Sequence, residues 1–161
     1  MPRRKGSKTD IDSPSRRRLP ILLRRAWFSL NQTFRRRLAH TGVTPDQFTA
    51  MRTLHEHGAD GLTQSCLTRL IASDPNTIGA LVERMESAGW IERVRHEEDR
   101  RAYRLRLLPA GLAQYERVRE IAIALQTDVL GGWSVRKREQ FLRDLADIAE
   151  RCASEKIAKD R

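Results

Sequence analysis

Residues 62 to 108 read LTQSCLTRLIASDPNTIGALVERMESAGWIERVRHEEDRRAYRLRLL, and this stretch decides the fold. Two short runs of helical apolar spacing flank Ser73-Asp74-Pro75. Thr63 can cap the first, over 63–72, with Leu67, Leu70 and Ile71 turned inward. Asp74 can cap the second, over 75–89, and Pro75 suits its first position. Ile78, Leu81, Val82 and Met85 make its buried stripe, and Gly89 ends it. Segments 90–95 and 102–108 are extended, because Tyr103, Leu105 and Leu107 alternate with Arg104 and Arg106. The charged tip His96-Glu97-Glu98-Asp99-Arg100-Arg101 lies between them. Helix, turn, helix and a two-stranded ribbon are the layout of a winged helix-turn-helix. Such a unit sets its second helix in the DNA major groove, and its ribbon tip reaches the backbone or minor groove.

The outer face of 75–89 offers Asn76, Thr77, Gly79, Ala80 and Glu83. Asn can pair bidentately with adenine, and a Thr methyl can touch thymine. The alternative is that Asn76 and Thr77 only extend the cap. The N-terminal N–H groups of this helix would also favour a phosphate. Gly79 and Ala80 permit close approach but supply no hydrogen bonds. Arg84 can bind phosphate or pair with Glu83 or Glu86. In the wing, an arginine can enter a narrow minor groove, where the potential is most negative, with Asp99 fixing its rotamer. The alternative for this run is a solvated turn.

Working outward, residues 1 to 18 carry seven basic and two acidic side chains and almost no apolar ones. They are expected to form a disordered basic arm, either a salt-dependent grip on phosphates or a solubilising tail. A first helix spans 20–41, with Leu23, Trp27, Leu30, Phe34 and Leu38 on one face and Gly42 at its end. Trp27 is expected in a core or an interface. Thr44-Pro45-Asp46-Gln47 starts a second helix, over 44–58, through a capping box. Beyond the wing, a helix over 110–130 carries Leu112, Tyr115, Val118, Ala122, Leu125 and Val129. Gly131-Gly132 breaks it, and Ser134 caps a last helix bearing Phe141, Leu142, Leu145, Ile148, Ala149 and Cys152. These faces exceed what one small domain can cover, so a second copy of the chain is the expected partner.

The chain has 161 residues, 39% of them hydrophobic and 32% charged, with a net charge of +10. That excess favours polyanions. Cys66 and Cys152 are far apart without a CxxC, which argues against a disulfide framework or a zinc ribbon. Cys66 is expected to be an inert buried thiol. His55 and His57 point to different faces of a helix, so no metal site and no cofactor are expected. There is no apolar run near the ~20 residues of a membrane helix. Pro20 and Arg24-Arg25 interrupt the short apolar segment beyond Arg16-Arg17-Arg18, so export is not expected and a cytoplasmic location is. No nucleophile stands at motif spacing from a base, and no Gly-rich phosphate loop is present, so an enzyme is not expected. A non-specific architectural DNA binder and a metal- or redox-responsive regulator stand as alternatives.

Segment order and wording resemble the MarR family of bacterial transcriptional regulators over roughly residues 20 to 155. The resemblance rests on Leu62-Thr63-Gln64, on Asn76-Thr77-Ile78 through Leu81-Val82-Glu83-Arg84-Met85-Glu86, and on Ala88-Gly89-Trp90-Ile91-Glu92-Arg93. Above all it rests on Asp99-Arg100-Arg101-Ala102, with Pro109-Ala110-Gly111 fitting the step to the fifth helix. The family implies a mainly α fold with a small β-ribbon, so that after the basic arm read from composition over 1–18 come a dimerisation helix over 19–43, a winged helix-turn-helix over 44–109 and dimerisation helices over 110–161. It further implies a homodimer on the double-stranded DNA of a palindromic operator, and repression relieved by a small phenolic or otherwise aromatic effector. Carried over, Asn76, Thr77, Ala80 and Arg84 face the major groove, while Arg100 or Arg101 enters the minor groove beside Asp99. Trp27, Asn31, Phe48, Met51 and His55 are candidates to line an effector cleft. Two departures bear on mechanism. Ala80 stands where many members carry a larger basic residue. No cysteine lies near the start of the helical body, which argues against peroxide sensing.

Overall fold

Thr44 opens the first strongly specified helix. Its hydroxyl accepts from Gln47 N at 3.2 Å, and Gln47 Oε1 accepts from Thr44 N at 2.9 Å. Around this capping box the computed structural model describes residues 18–95 and 103–159. The order is α1 (Leu19–Leu38), α2 (Pro45–Glu56), a 3₁₀ turn (Gly58–Asp60), β1 (Leu62–Thr63), α3 (Gln64–Leu70), α4 (Pro75–Ser87), β2 (Ile91–Arg95), β3 (Tyr103–Leu107), α5 (Pro109–Leu130) and α6 (Val135–Lys159). Residues 1–17 of the basic arm, and Asp99, Arg100 and Arg101 at the wing tip, lie outside the described residues.

The sheet has three antiparallel strands in the order β1-β3-β2, where sequence reading expected a two-stranded ribbon. Leu62 pairs with Leu105 and Thr63 with Arg104. A two-residue strand is too short for any periodicity to announce it. On the other side of β3, Ile91 faces Leu107 and Arg95 faces Tyr103. The strand β3 is therefore central, with Leu105 buried and Tyr103 exposed.

The core gathers Met51 and Leu54 of α2, Leu67 of α3, the stripe Ile78, Leu81, Val82 and Met85 of α4, and Ile91 and Leu105 of the sheet. Each buried aliphatic side chain here contributes roughly 1.5–3 kcal/mol of burial. Two expectations change. The helix α3 is only seven residues long, and Leu70 on its last turn is 47% exposed while Ile71 is half-buried. Two turns leave room for one fully buried apolar position, Leu67, between cap and turn. In α1 the stripe is buried only at its end: Leu38 is buried and Phe34 half-buried, but Leu30 is exposed and Trp27 is 64% exposed. Trp27 is thus not part of this chain's core. The helix also stops before the expected Gly42, because the Thr41 hydroxyl donates to the Leu38 carbonyl at 2.7 Å and accepts from Val43 N at 3.1 Å.

The helices α3 and α4 end alike. Ser73 N donates to the Thr68 carbonyl and Ala72 N to that of Arg69; Trp90 N donates to Met85 and Gly89 N to Glu86. Both are Schellman turns whose pivot has positive φ: +52° at Ala72 and +69° at Gly89.

The chain divides into two compact units between Ile121 and Ala122, and α5 is continuous through the division. In the first, α5 contributes the buried Tyr115 and Val118. Gly111 lies so close to the Trp90 carbonyl that a Cβ could not fit. In the second, Leu125 and Leu130 are buried, whereas Val129, expected inward, is exposed. Leu112 is also exposed. Ser134 caps α6 by accepting from Lys137 N at 3.3 Å. Trp133 packs edge-on against Phe141 at 5.2 Å, with Lys137 Nζ 4.5 Å over its ring. Phe141, Leu142 and Leu145 of the expected α6 stripe are exposed. Among the described residues no helix is long and apolar enough to cross a membrane.

Candidate nucleic-acid interface

Asp74 caps α4, its Oδ1 accepting from Thr77 N at 2.9 Å. Hydrogen bonding from the Thr77 hydroxyl, and then from the Thr77 N–H, keeps this carboxyl below the ordinary carboxylate range. A fixed negative charge therefore sits at the N-terminus of α4. The Thr77 N–H thus already serves an anion at the terminus where a phosphate was expected, leaving the other first-turn N–H groups for it. The Asp74 carboxylate also engages the Thr77 hydroxyl, leaving the methyl as the free part of that side chain.

With Ile78, Leu81, Val82 and Met85 turned inward, α4 presents Asn76, Thr77, Ala80 and Arg84 on its exposed side. Asn76, Ala80 and Arg84 follow at four-residue steps and so share one face. Arg84 makes no ion pair among the described residues; Glu86 is taken by Arg93 Nε at 3.0 Å. Gly79 departs from the expected outer face. It is half-buried, and a Cβ there would sit 3.6 Å from Gln64 Nε2. Gln64, at the start of α3, thus borders the recognition face. Sequence reading quoted Gln64 only within the motif Leu62-Thr63-Gln64 and gave it no role of its own.

The arginines of the ribbon divide by task. Arg104 Nη1 donates to the Asp60 and Gly61 carbonyls at 3.2 and 3.4 Å. Arg93 is tied to α4 through Glu86. Arg106 is half-buried. Arg95, exposed on the last described rung opposite Tyr103, is a further cation beside the wing tip that sequence reading did not single out. Its signal was its place at the end of the strand, just before the charged run.

The five cleft candidates are not all brought together. Met51 is fully buried and Phe48 buried, while Asn31 is half-buried and Trp27 exposed. His55 is exposed, and its ring lies 4.7 Å from that of Tyr115. Tyr115 stacks on Phe48 at 5.8 Å, and Phe48 meets Phe34 edge-on at 5.3 Å. The aromatic row is thus Phe34, Phe48, Tyr115 and His55. Trp27 precedes Phe34 by seven residues, about 10 Å along α1. Cys66, expected buried, is half-buried, with Arg69 Nη2 donating to its Sγ at 3.6 Å. Cys152 is exposed. No cluster of three or more metal-ligating side chains occurs among the described residues.

The MarR family model matches residues 43–103, from two residues before α2 to the first residue of β3. The chain is 28% identical over 106 residues to the HTH-type transcriptional regulator PecS of Dickeya dadantii; this covers 65% of the chain and 63% of PecS. It is 30% identical over 116 residues to the uncharacterized HTH-type transcriptional regulator YsmB of Bacillus subtilis, covering 72% and 67%. A MarR family protein structure from Bacillus stearothermophilus superposes with a TM-score of 0.68 at 32% identity, covering 86% of this chain and 96% of the other. Two more distant structures share the fold. MepR of S. aureus in its DNA complex has a TM-score of 0.73 at 21% identity, covering 81% and 96%. CouR of Rhodococcus jostii RHA1, bound to p-coumaroyl-CoA, has a TM-score of 0.73 at 20% identity, covering 81% and 91%. The winged helix-turn-helix and these likenesses agree: the chain belongs to the MarR family of DNA-binding transcriptional regulators.

Proposed function

We propose that the chain acts in the cytoplasm as a homodimeric repressor of a palindromic operator and is released by a small aromatic effector. The observation that carries the DNA contact is the exposed face of α4, where Asn76, Thr77, Ala80 and Arg84 stand clear of the core. In this reading residues 44–109 bind DNA, with Asn76 on a base edge and the Thr77 methyl on a thymine. Arg84 takes a phosphate. Arg100 or Arg101 enters the minor groove beside Asp99, and the basic arm over 1–18 adds salt-dependent affinity. Residues 19–43 and 110–161 dimerise the chain. The apolar side chains exposed on α1 and α6 support this, because contiguous patches of that kind mark interfaces. Two copies must then set their α4 helices about 34 Å apart to meet successive major grooves. The aromatic row Phe34, Phe48, Tyr115 and His55 supports an effector site beside α2. MepR in its DNA complex and CouR with p-coumaroyl-CoA supply the precedents for each partner.

Competition binding tests the proposal. The protein should leave random DNA long before it leaves its own upstream region. Arg100→Ala with Arg101→Ala should weaken that retention and lower the slope of log affinity against log salt, by about 0.9 for each phosphate no longer neutralised. Equal displacement by any DNA would instead identify a non-specific architectural binder.

A further inference from the structure

We propose that Arg95 of β2 and Tyr103 of β3 together hold one backbone phosphate of the DNA, on the strand that separates the groove filled by α4 from the groove reached by the wing tip. The guanidinium and the phenol hydroxyl both donate to its oxygens. The inference rests on the DNA-binding reading above and adds a contact in the stem of the wing, apart from the arginines of its tip.

The face on which these side chains stand follows from the register. Ile91 pairs with Leu107, Arg93 with Leu105 and Arg95 with Tyr103. Residues two apart in a strand share a face, and partners directly across the ladder share it too. The inner rungs of this face are engaged within the chain. Ile91 and Leu105 are buried, Leu107 is half-buried, and Arg93 Nε reaches back to Glu86 of α4 at 3.0 Å. The outer rung is open: Arg95 is exposed, and Tyr103 is 45% exposed. Among the described residues neither side chain has a hydrogen bond, an ion pair or a ring contact.

An exposed strand tyrosine can be simple β-propensity. Its placement here argues for a ligand. The face that carries it is the one turned to α4, as the Arg93–Glu86 pair shows. Arg95 lies two residues beyond Arg93, about 7 Å farther toward the tip. The rung therefore stands between the recognition helix and the tip, the two parts that enter grooves. Sugar-phosphate backbone separates a major groove from the neighbouring minor groove. Both side chains end in hydrogen-bond donors, one of them a permanent cation, and a phosphate offers acceptors and negative charge to both. Glu86, an acid on the same side, is already neutralised by Arg93. Such a contact fixes the register of the wing against α4 and reads no sequence itself.

The test titrates full-length protein with its own upstream DNA and with random DNA over a range of salt. Arg95→Gln should weaken both by about tenfold at low salt, as for a hydrogen bond to a charged group. It should also lower the slope of log affinity against log salt by about 0.9 for each bound wing. Tyr103→Phe keeps the ring and loses the hydroxyl; it should weaken both by about threefold with the slope unchanged. Ethylating operator phosphates one at a time locates the contact. One phosphate between the two grooves should block the parent and have no further effect on Arg95→Gln. Unchanged affinity and slope in folded Arg95→Gln, a loss confined to upstream DNA, or the parent's ethylation pattern in the variant would overturn the contact. A parent that does not prefer its upstream DNA removes the operator reading alone, because the salt slopes on random DNA still decide the phosphate contact.

Discussion

Ala72 shows how closely a single residue can follow a backbone rule and still strain it. It pivots the turn between α3 and α4 at φ +52°, where Gly89 pivots the matching turn after α4. A non-glycine residue in that region costs about 1–2 kcal/mol, and glycine gives back about 0.4–1 kcal/mol through its freer unfolded chain. Ala72→Gly should therefore stabilise the fold by about 0.5 kcal/mol, measured by denaturant unfolding; an unchanged or lowered midpoint would count against the strained turn. At this scale the sequence was legible wherever a side chain acts on its own neighbours. Thr44 with Gln47, and Asp74 with Thr77, are caps at three-residue spacing, and both stand where expected. The arginines were not legible. Whether Arg104 meets DNA or the Asp60 carbonyl depends on a segment 44 residues away, which no local pattern encodes.

At the scale of the element, α4 depends on its cap, and the cap is acidic. The Asp74 carboxyl titrates below its ordinary 3.8 because the Thr77 hydroxyl, then the Thr77 N–H, favour its charged form. Its contribution is complete above the unfolded value and is lost as pH falls through the lower folded value. Hydrogen exchange should show the first turn of α4 losing protection as pH falls below about 4. In Asp74→Asn, which cannot titrate, that local loss should disappear while the rest of the profile is kept. If both proteins lose protection together, the cap is not its source. Element identity was largely legible, since the stripe of α4 and the box of α2 repeat over several turns. Element ends were less so: α1 stops at Leu38 because the Thr41 hydroxyl takes the Leu38 carbonyl. β1 was invisible because two residues have no period. The cleft candidates were chosen on a similar footing, since a helical face cannot say which of Trp27, Met51 and Phe48 will meet α5; within the chain Phe48 does, through Tyr115.

At the scale of the molecule, the question is what covers the apolar side chains of α1 and α6. Phe28 and Leu142 are both exposed in the single chain, so changing them should leave its own packing intact. Phe28→Glu with Leu142→Glu should convert a dimer to a monomer in sedimentation velocity at about micromolar concentration, because an unpaired charge in a dry interface costs several kcal/mol. A parent protein that sediments as a monomer would refute the dimer directly. Within one chain, Thr63 belongs to two structures at once. It is a rung of the sheet, opposite Arg104, and the cap of α3, through Cys66 N at 3.2 Å. Together with the Arg93–Glu86 pair that ties β2 to α4, this rung joins the ribbon to both helices, so whatever tugs on the wing also tugs on the first turn of α3.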